Sequence, residues 1–293
     1  MLDLSALLFG YSKALYSNWI FYKPDNLLID CGEGVASTLG NGGYAIERVL
    51  LTHGHIDHIA GLPSLLWSRA AGMGDNQKPL AIYHPRDDLY LADMKQYLER
   101  TSRRLPFALQ WIPLEADSSF ELGGQLNGKR RVQTFPTKHI EGRLTIGYKI
   151  LESRRRLKPE YSALPESEIR ARAQSGGRAR VEELMETYDA ILAAFGGDGL
   201  PLETAFVQNA ELLIHEATIL EAADRKGERH STLDEAVEVA AQANAGVLLL
   251  NHISGRYDRK QVERVARESA LRHNFQGPVW CLFHNRLWNI VAK

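Results

Sequence analysis

Short apolar runs separated by turn residues fill the first third of the chain. The segments NWIFYK, NLLID and RVLLTH are rich in aromatic and branched aliphatic residues, and polar or glycine-containing segments follow each of them. This pattern predicts three β-strands. A helix is predicted around Leu62 to Ala71, where the apolar positions recur and a glycine follows.

The rest of the chain alternates between strand-like and helix-like patterns. PLAIYH, LQWIPL, RVQTFPTKH and LTIGYKI are typical of strands, and LYLADMKQYLERTSRR is typical of a helix. A polar, arginine-rich stretch from Arg154 to Arg180 interrupts this alternation. Beyond it, the predicted strands ELLIHEA, GVLLLNH and VWCLF alternate with helices that begin at Leu233 and Arg259. A β-meander followed by β/α alternation predicts two sheets packed on each other with helices outside.

The predicted helix at Leu233 has a recognisable start and one apolar face. Thr232 and Glu235 have the spacing of a capping box. One helical face carries the apolar residues Leu233, Ala236, Val237, Ala240 and Ala241. The continuous apolar run VLLLN that follows is typical of a buried strand. His252 therefore lies where a buried strand ends.

Composition and charge are those of an ordinary globular protein. The chain has 293 residues, of which 44% are hydrophobic and 24% charged, and its net charge of -1 points to no special partner. The two cysteines, Cys31 and Cys281, form no CxxC pair, which fits a reducing, cytoplasmic setting. The N-terminus lacks a basic region before its apolar run, and no apolar run approaches the roughly 20 residues of a membrane span. We therefore expect no membrane association.

Titratable side chains concentrate in the segment LLTHGHIDHIAG. Within six positions it carries His53, His55, Asp57 and His58. His53 is expected at the end of a strand and the other three in the loop that enters the next helix, where scaffolds present functional groups. Imidazoles and a carboxylate are suitable ligands for zinc or a similar transition metal. A single histidine would favour a polar capping loop, but three with an aspartate favour a metal site.

Several segments in addition to this one resemble the motifs of the metallo-β-lactamase superfamily. THGHIDHIAGL is similar to the signature of the superfamily, and four further segments follow the order of its other motifs: LLIDCGEG with Asp30, TKHI with His139, AAFGGDG with Asp198, and LLLNHISGRY with His252. LLIHEAT and RHSTLDEA are similar to segments of ribonuclease Z, the tRNA 3′-processing endonuclease, and carry Glu216 and His230. The resemblance implies an α/β fold, an αββα sandwich forming a single domain over 1–293, with an arginine-rich insertion near 152–186.

The resemblance also implies two divalent metal ions, zinc foremost, with manganese or iron tolerated. One ion would be held by His53, His55 and His139, the other by Asp57, His58 and His252, and Asp198 would bridge them. Two ions about 3.5–4 Å apart can activate a shared water as the hydroxide that attacks a phosphodiester. Asp198 lies in a GGDG segment, where a turn aspartate is the alternative interpretation.

Three further roles follow from the same resemblance. Asp57 would also orient the hydroxide, and His230 would donate a proton or hydrogen bond to the leaving oxygen while Glu216 holds its imidazole. Asp30 would orient the histidine loop from behind the ligands, or be purely structural. Glu216 could equally cap a helix or pair with an arginine.

The substrate is less clearly indicated than the metal site. The Gly-Thr-Gly turn and the glycine- and proline-rich arm expected of ribonuclease Z are not recognisable in this sequence. Arg154, Arg155 and Arg156 could grip the phosphate backbone of RNA, a tRNA precursor in particular, or form a solvated surface because glutamates are interspersed. Two enzyme functions stay open: processing of RNA 3′ ends, or hydrolysis of a small phosphodiester or ester. A vestigial metal module is disfavoured because every ligand is present, and a homodimer stays open.

Overall fold

Two β-sheets packed face to face form the centre of the molecule, as described by a computed structural model covering residues 3–72, 78–123, 130–175, 177–227 and 229–292. The first sheet has six strands in sequence order. They are β1 Leu8–Lys13, β2 Ser17–Tyr22, β3 Leu27–Ile29, β4 Arg48–Leu50, β5 Leu80–Pro85 and β6 Leu109–Leu114. The strands from β1 to β3 pair antiparallel, and those from β3 to β6 pair parallel.

The second sheet has eight strands, again arranged in the order of the chain. They are β7 Ser119–Glu121, β8 Arg130–Thr137, β9 Thr145–Leu157, β10 Met185–Phe195, β11 Leu212–Glu216, β12 Val247–Asn251, β13 Val279–Phe283 and β14 Arg286–Val291. The strands from β10 to β13 pair parallel, and the remaining pairs are antiparallel. The carboxyl ends of the parallel strands therefore collect along one edge, where loops can present functional groups.

Most of the helices lie on the outer faces of the two sheets. They are α1 Leu4–Leu7, α2 Val35–Leu39, α3 Ile56–Ile59, α4 Leu62–Gly72, α5 Leu89–Thr101, α6 Glu166–Ser175, α7 Gly177–Leu184, α8 Leu233–Gln242 and α9 Arg259–Arg272. The predicted capping box is present at α8. The Thr232 hydroxyl accepts a hydrogen bond from the Glu235 amide, and the Glu235 carboxylate accepts one from the Thr232 amide. Among the helices in the described ranges, none has the length and apolar character of a membrane span.

Three apolar layers hold the sandwich together, and β12 shows how one strand serves two of them. Leu249 belongs to the layer between the sheets, whereas Leu248 and Leu250 pack toward α8 and α9 on the outer face. Successive side chains of a strand point to opposite faces, so the continuous apolar run is what a doubly covered strand requires. A third layer lies between the first sheet and helices α3 to α5. The predicted αββα sandwich is confirmed.

The arginine-rich region differs from the predicted interruption. β9 continues to Leu157, so Arg154 to Arg156 lie in a strand and pair with Glu186 to Tyr188 of β10. The helices α6 and α7 connect the ends of these two strands. A strand without an apolar face lacks the alternation by which a sequence identifies strands, which is why the pattern of these last residues predicts a polar interruption instead.

Candidate metal centre

Three histidines from two separate segments form the first part of the site. His53 follows β4, His55 precedes the first turn of α3, and His139 follows β8. Nδ1 of His55 lies 3.0 Å from Nε2 of His53 and 3.1 Å from Nε2 of His139. His53 and His139 are buried, whereas His55 is partly exposed. The structure therefore brings together the three residues predicted to hold one ion.

The second part of the site combines carboxylates with two further histidines. Asp57 and His58 lie in α3, and His252 follows β12 in a left-handed backbone conformation with φ of 54°. Oδ2 of Asp198 lies 3.3 Å from Nε2 of His58 and 3.2 Å from Nε2 of His252. Oδ2 of Asp57 lies 3.3 Å from the same atom of His252. Asp198 is thus close to histidines that were predicted to hold the second ion.

Asp198 also lies near the first group of histidines. Its Oδ2 atom is 4.0 Å from Nε2 of His139. Gly197 and Gly199, with φ of 64° and 153°, flank Asp198. These conformations favour glycine and turn the loop after β10 into the site. Asp198 therefore lies within 4.0 Å of histidines from both predicted groups of ligands.

The donor set fits divalent cations. In the described part of the chain, Nε2 of His58 and Oδ1 of Asp198 are buried and make no hydrogen bond. Buried polar atoms without partners are costly, so a ligand for both is expected. Clusters able to hold a metal are formed by His53, His55 and His139 and by Asp57, His58 and His252, with ligand atoms within 4.8 Å. Nitrogen and carboxylate donors in such sets suit zinc and its neighbours.

Hydrogen bonds behind the ligands fix their orientation. Oδ2 of Asp30 accepts from Nδ1 of His58 at 2.7 Å, and Oδ1 accepts from the amide of Thr52 at 2.8 Å. Thr52 Oγ1 lies 3.0 Å from Nδ1 of His53. Asp30 follows β3 with φ of 55°, a conformation that aspartate tolerates better than most residues. Asp30 thus contacts two residues of the histidine loop, His58 and Thr52.

Glu216 and His230 form a pair beside the candidate ligands. Oε1 of Glu216 lies 2.8 Å from Nδ1 of His230 and also accepts from the amide of Gly199 at 3.0 Å. The ring of His230 lies 4.8 Å from that of His139 and 5.6 Å from that of His252, between centroids. Glu216 is buried and His230 partly exposed. The carboxylate therefore holds the imidazole of His230 through Nδ1, beside the candidate ligands His139 and His252.

Burial and neighbouring charges set the protonation of these groups. Burial lowers the pKa of His53 well below its ordinary value, which keeps its imidazole neutral, as metal ligation requires. Burial alone would raise the pKa of Asp198, but His252 and His58 outweigh it and hold that pKa well below the ordinary value. Burial likewise opposes the charged form of His230, yet the hydrogen bond and charge of Glu216 prevail and raise its pKa.

The predicted arginine triplet lies apart from this cluster. Arg154 pairs with Glu152 and Glu211, and Arg156 pairs with Glu186 at 2.7 Å. Alternation along β9 places Arg155 on the opposite face, where it is exposed. β9 and β10 pair near the site at Tyr148 and Phe195, so Arg155 lies roughly 24 Å farther along the strand. The triplet is therefore not one uniform basic patch.

Several residues of the site went unrecognised in the sequence. Thr218, in the HEAT segment, lies 2.8 Å through Oγ1 from Nδ1 of His252, and the Arg229 carbonyl lies 2.9 Å from Nδ1 of His139. The position of Thr218 two residues after Glu216 could have suggested it. A cavity of about 860 Å³ opens beside His55 and His139, and its lining includes Tyr90 and Arg143. These last two carry no motif, and only the fold brings them to the site.

Comparison with known proteins agrees with the fold. The model of the beta-lactamase superfamily domain matches residues 25–158. Ribonuclease Z of Gemmatimonas aurantiaca is 31% identical over 270 residues, which cover 84% of this chain and 82% of the relative. The metallo-beta-lactamase fold protein YhfI of Bacillus subtilis superposes with a TM-score of 0.64 at 20% identity, covering 96% of this chain and 98% of its own. The short form of human tRNase Z gives 0.63 at 21%, covering 97% and 99%.

Proposed function

The chain is a metallo-hydrolase that belongs to the ribonuclease Z family of the metallo-β-lactamase superfamily, and on that premise we propose that it cleaves RNA at the 3′ ends of tRNA precursors. The names of its relatives support RNA as the substrate: one is a ribonuclease Z, and a solved neighbour of similar fold is a human tRNase Z. In this proposal zinc ions occupy the candidate centre.

The residues that would hold the ions are those whose donors converge. His53, His55 and His139 would bind one ion and Asp57, His58 and His252 the other, with Asp198 between them. Bound divalent ions supply Lewis acidity toward a phosphoryl oxygen and lower the pKa of water.

Asp57 has a second role in this proposal. Its Oδ2 atom accepts a hydrogen bond from the backbone amide of Leu15 at 3.0 Å, which fixes the carboxylate. A fixed carboxylate at this position can orient the attacking oxygen nucleophile and accept its proton.

The observation that carries the proposal is the Glu216–His230 pair. Cleavage of RNA expels a sugar hydroxyl, a poor leaving group that gains from protonation as its bond to phosphorus breaks. His230 is held through Nδ1 by Glu216 at 2.8 Å, which leaves Nε2 to donate to that oxygen. Because Glu216 raises the pKa of His230, the imidazole is better able to carry the proton that it donates.

The test compares leaving groups that need different amounts of protonation. His230→Ala should slow cleavage of an RNA phosphodiester by about 10²–10⁴-fold, the range of a positioned general acid. Hydrolysis of bis-p-nitrophenyl phosphate should change little, because p-nitrophenolate leaves without protonation. Glu216→Gln should show the same selectivity more weakly, and bound metal, measured by elemental analysis, should stay near the wild-type level. Equal losses on both substrates would refute the leaving-group role.

A second candidate function is hydrolysis of a small phosphodiester at the same site. It is favoured by the ion pairs of Arg154 and Arg156, since paired arginines have less charge to offer an RNA backbone. Under this alternative, bis-p-nitrophenyl phosphate would be hydrolysed while precursor tRNA would be left intact.

A further inference from the structure

Arg143 stands out among the charged residues that line the cavity beside the candidate metal centre. The cavity is bordered by His55, Tyr90, Lys138, His139, Arg143 and Arg229, with Glu141 as an acidic residue at its edge. Lys138 is paired with Glu203 at 3.0 Å. Arg143, by contrast, forms no ion pair within the described ranges, and its buried Nη1 atom has no hydrogen-bond partner there.

The local backbone places Arg143 back against the histidine motif. Arg143 lies in the turn between β8 and β9, four residues after His139. Its amide donates to the carbonyl of Ile140 at 3.2 Å, and Gly142 adopts φ of 69° to close the turn. The guanidinium is therefore positioned by a short turn that also carries a candidate metal ligand.

The guanidinium of Arg143 lies over an aromatic ring. The Cζ atom of Arg143 lies 4.7 Å from the centroid of the Tyr90 ring, a cation–π contact. The centroid of the same ring lies 6.1 Å from that of His55. Arg143 and the candidate metal ligand His55 therefore both lie beside the Tyr90 ring.

Tyr90 is itself tied to the metal-binding loop. Asp88 caps α5 by accepting from the amide of Tyr90 at 2.9 Å through Oδ1, while its Oδ2 atom accepts from the amide of Gly54 at 2.8 Å. Asp88 is buried, so these bonds are shielded from water. Asp88 therefore links the backbone of the Gly54 loop to the start of α5, which carries the Tyr90 ring beside Arg143.

The guanidinium of Arg143 has no carboxylate partner in the described ranges, and it borders a cavity next to the proposed phosphodiester-cleaving centre. It is therefore suited to a phosphate ligand. Its planar set of donors suits two phosphate oxygens at once. Resting on the proposed function, we propose that Arg143 binds a second phosphate of the substrate, one that flanks the scissile phosphate and is not cleaved. Arg143 would then be a residue that gives preference to substrates with more than one phosphate.

The direct test measures binding without relying on turnover. Uridine 3′,5′-bisphosphate and uridine 3′-monophosphate are titrated by calorimetry into zinc-loaded protein of measured metal content. The wild type should bind the bisphosphate at least about tenfold more tightly. Arg143→Ala should weaken bisphosphate binding by roughly 10- to 100-fold, as expected for a charge-assisted bond, and monophosphate binding by less than about threefold.

Two further variants separate this role from charge and folding effects. Arg267→Ala removes an exposed arginine of α9 that pairs with Glu263, and it should leave both affinities unchanged. Arg143→Lys keeps the charge but loses the planar fork, so bisphosphate binding should weaken several-fold with monophosphate binding intact. This comparison decides the question even where the alanine variant does not fold.

Equal losses on the two ligands, no loss on either, or a wild type without preference for the bisphosphate would each overturn the assignment of Arg143. Hydrolysis of bis-p-nitrophenyl phosphate, measured on the same preparations, distinguishes a failure of the proposed function from a failure of the Arg143 assignment. A wild type that binds the bisphosphate through Arg143 but hydrolyses no diester would refute the proposed function and leave the phosphate site standing.

Discussion

Replacing Asp30 by asparagine tests whether the residues behind the ligands set metal affinity. Asp30 is buried, with one oxygen 2.7 Å from Nδ1 of His58 and the other 2.8 Å from the amide of Thr52. Asparagine has the same shape and also tolerates the left-handed conformation of this position, where φ is 55°. The substitution therefore changes hydrogen bonding without changing the demands on the backbone.

The expected loss follows from the tautomer of His58. Asp30 accepts a hydrogen bond from Nδ1, which leaves the lone pair of Nε2 for a metal. If the side-chain nitrogen of the introduced asparagine faced Nδ1, the imidazole would shift its proton to Nε2 and block that atom. In the opposite orientation the nitrogen would face the Thr52 amide, donor against donor. Either outcome should weaken metal binding by about 10–100-fold, the range for such orienting partners.

Competition for zinc with a chromogenic chelator measures this change. Asp25→Asn serves as the matched control, because Asp25 pairs with Arg130 at 3.2 Å in another part of the molecule. The control should retain wild-type zinc affinity. An Asp30→Asn protein that folds normally and binds zinc as tightly as the wild type would refute the orienting role of Asp30.

Three other changes probe the chemistry, the arginine triplet and the core. Asp57→Ala should reduce diester hydrolysis by at least about 10²–10⁴-fold in steady-state assays, and near-normal turnover would contradict its role. Joint replacement of Arg154 to Arg156 by alanine should reduce the log–log slope of RNA affinity against salt by only about one unit, because two of the three arginines are already ion-paired. A reduction of about three units would contradict this. Leu249→Ala should cost about 2–5 kcal/mol in denaturant unfolding, whereas exposed Leu271→Ala should cost under about 0.5 kcal/mol.

Much of the fold was predictable because most strands have a clear apolar pattern. The continuous run of β12 and the capping box of α8 were both predicted and are both present. The strands β1, β7, β10 and β14 were not predicted. In β1 and β14, polar positions such as the buried Ser12 and the half-buried Asn289 weaken the alternation on which a strand prediction depends.

The candidate ligands were predictable because motif spacing and strand ends place them on adjacent loops. Residues that support the ligands are harder to predict. Thr218 and Asp88 act through bonds to groups distant in the chain, His252 and Gly54. Arg143 belongs to no motif that the sequence shows, because it approaches Tyr90 only after β8, β9 and α5 have packed.

Cleavage of a tRNA precursor by protein of known metal content tests the central claim most directly. A precursor with a 3′ trailer and bis-p-nitrophenyl phosphate are offered in parallel to the zinc-loaded protein and to a chelator-treated sample. We expect up to two ions per chain, cleavage of the precursor between tRNA body and trailer, and loss of both activities on chelation. Hydrolysis of the aryl diester with the precursor left intact would contradict tRNA processing, and protein that binds no metal would contradict the mechanism altogether.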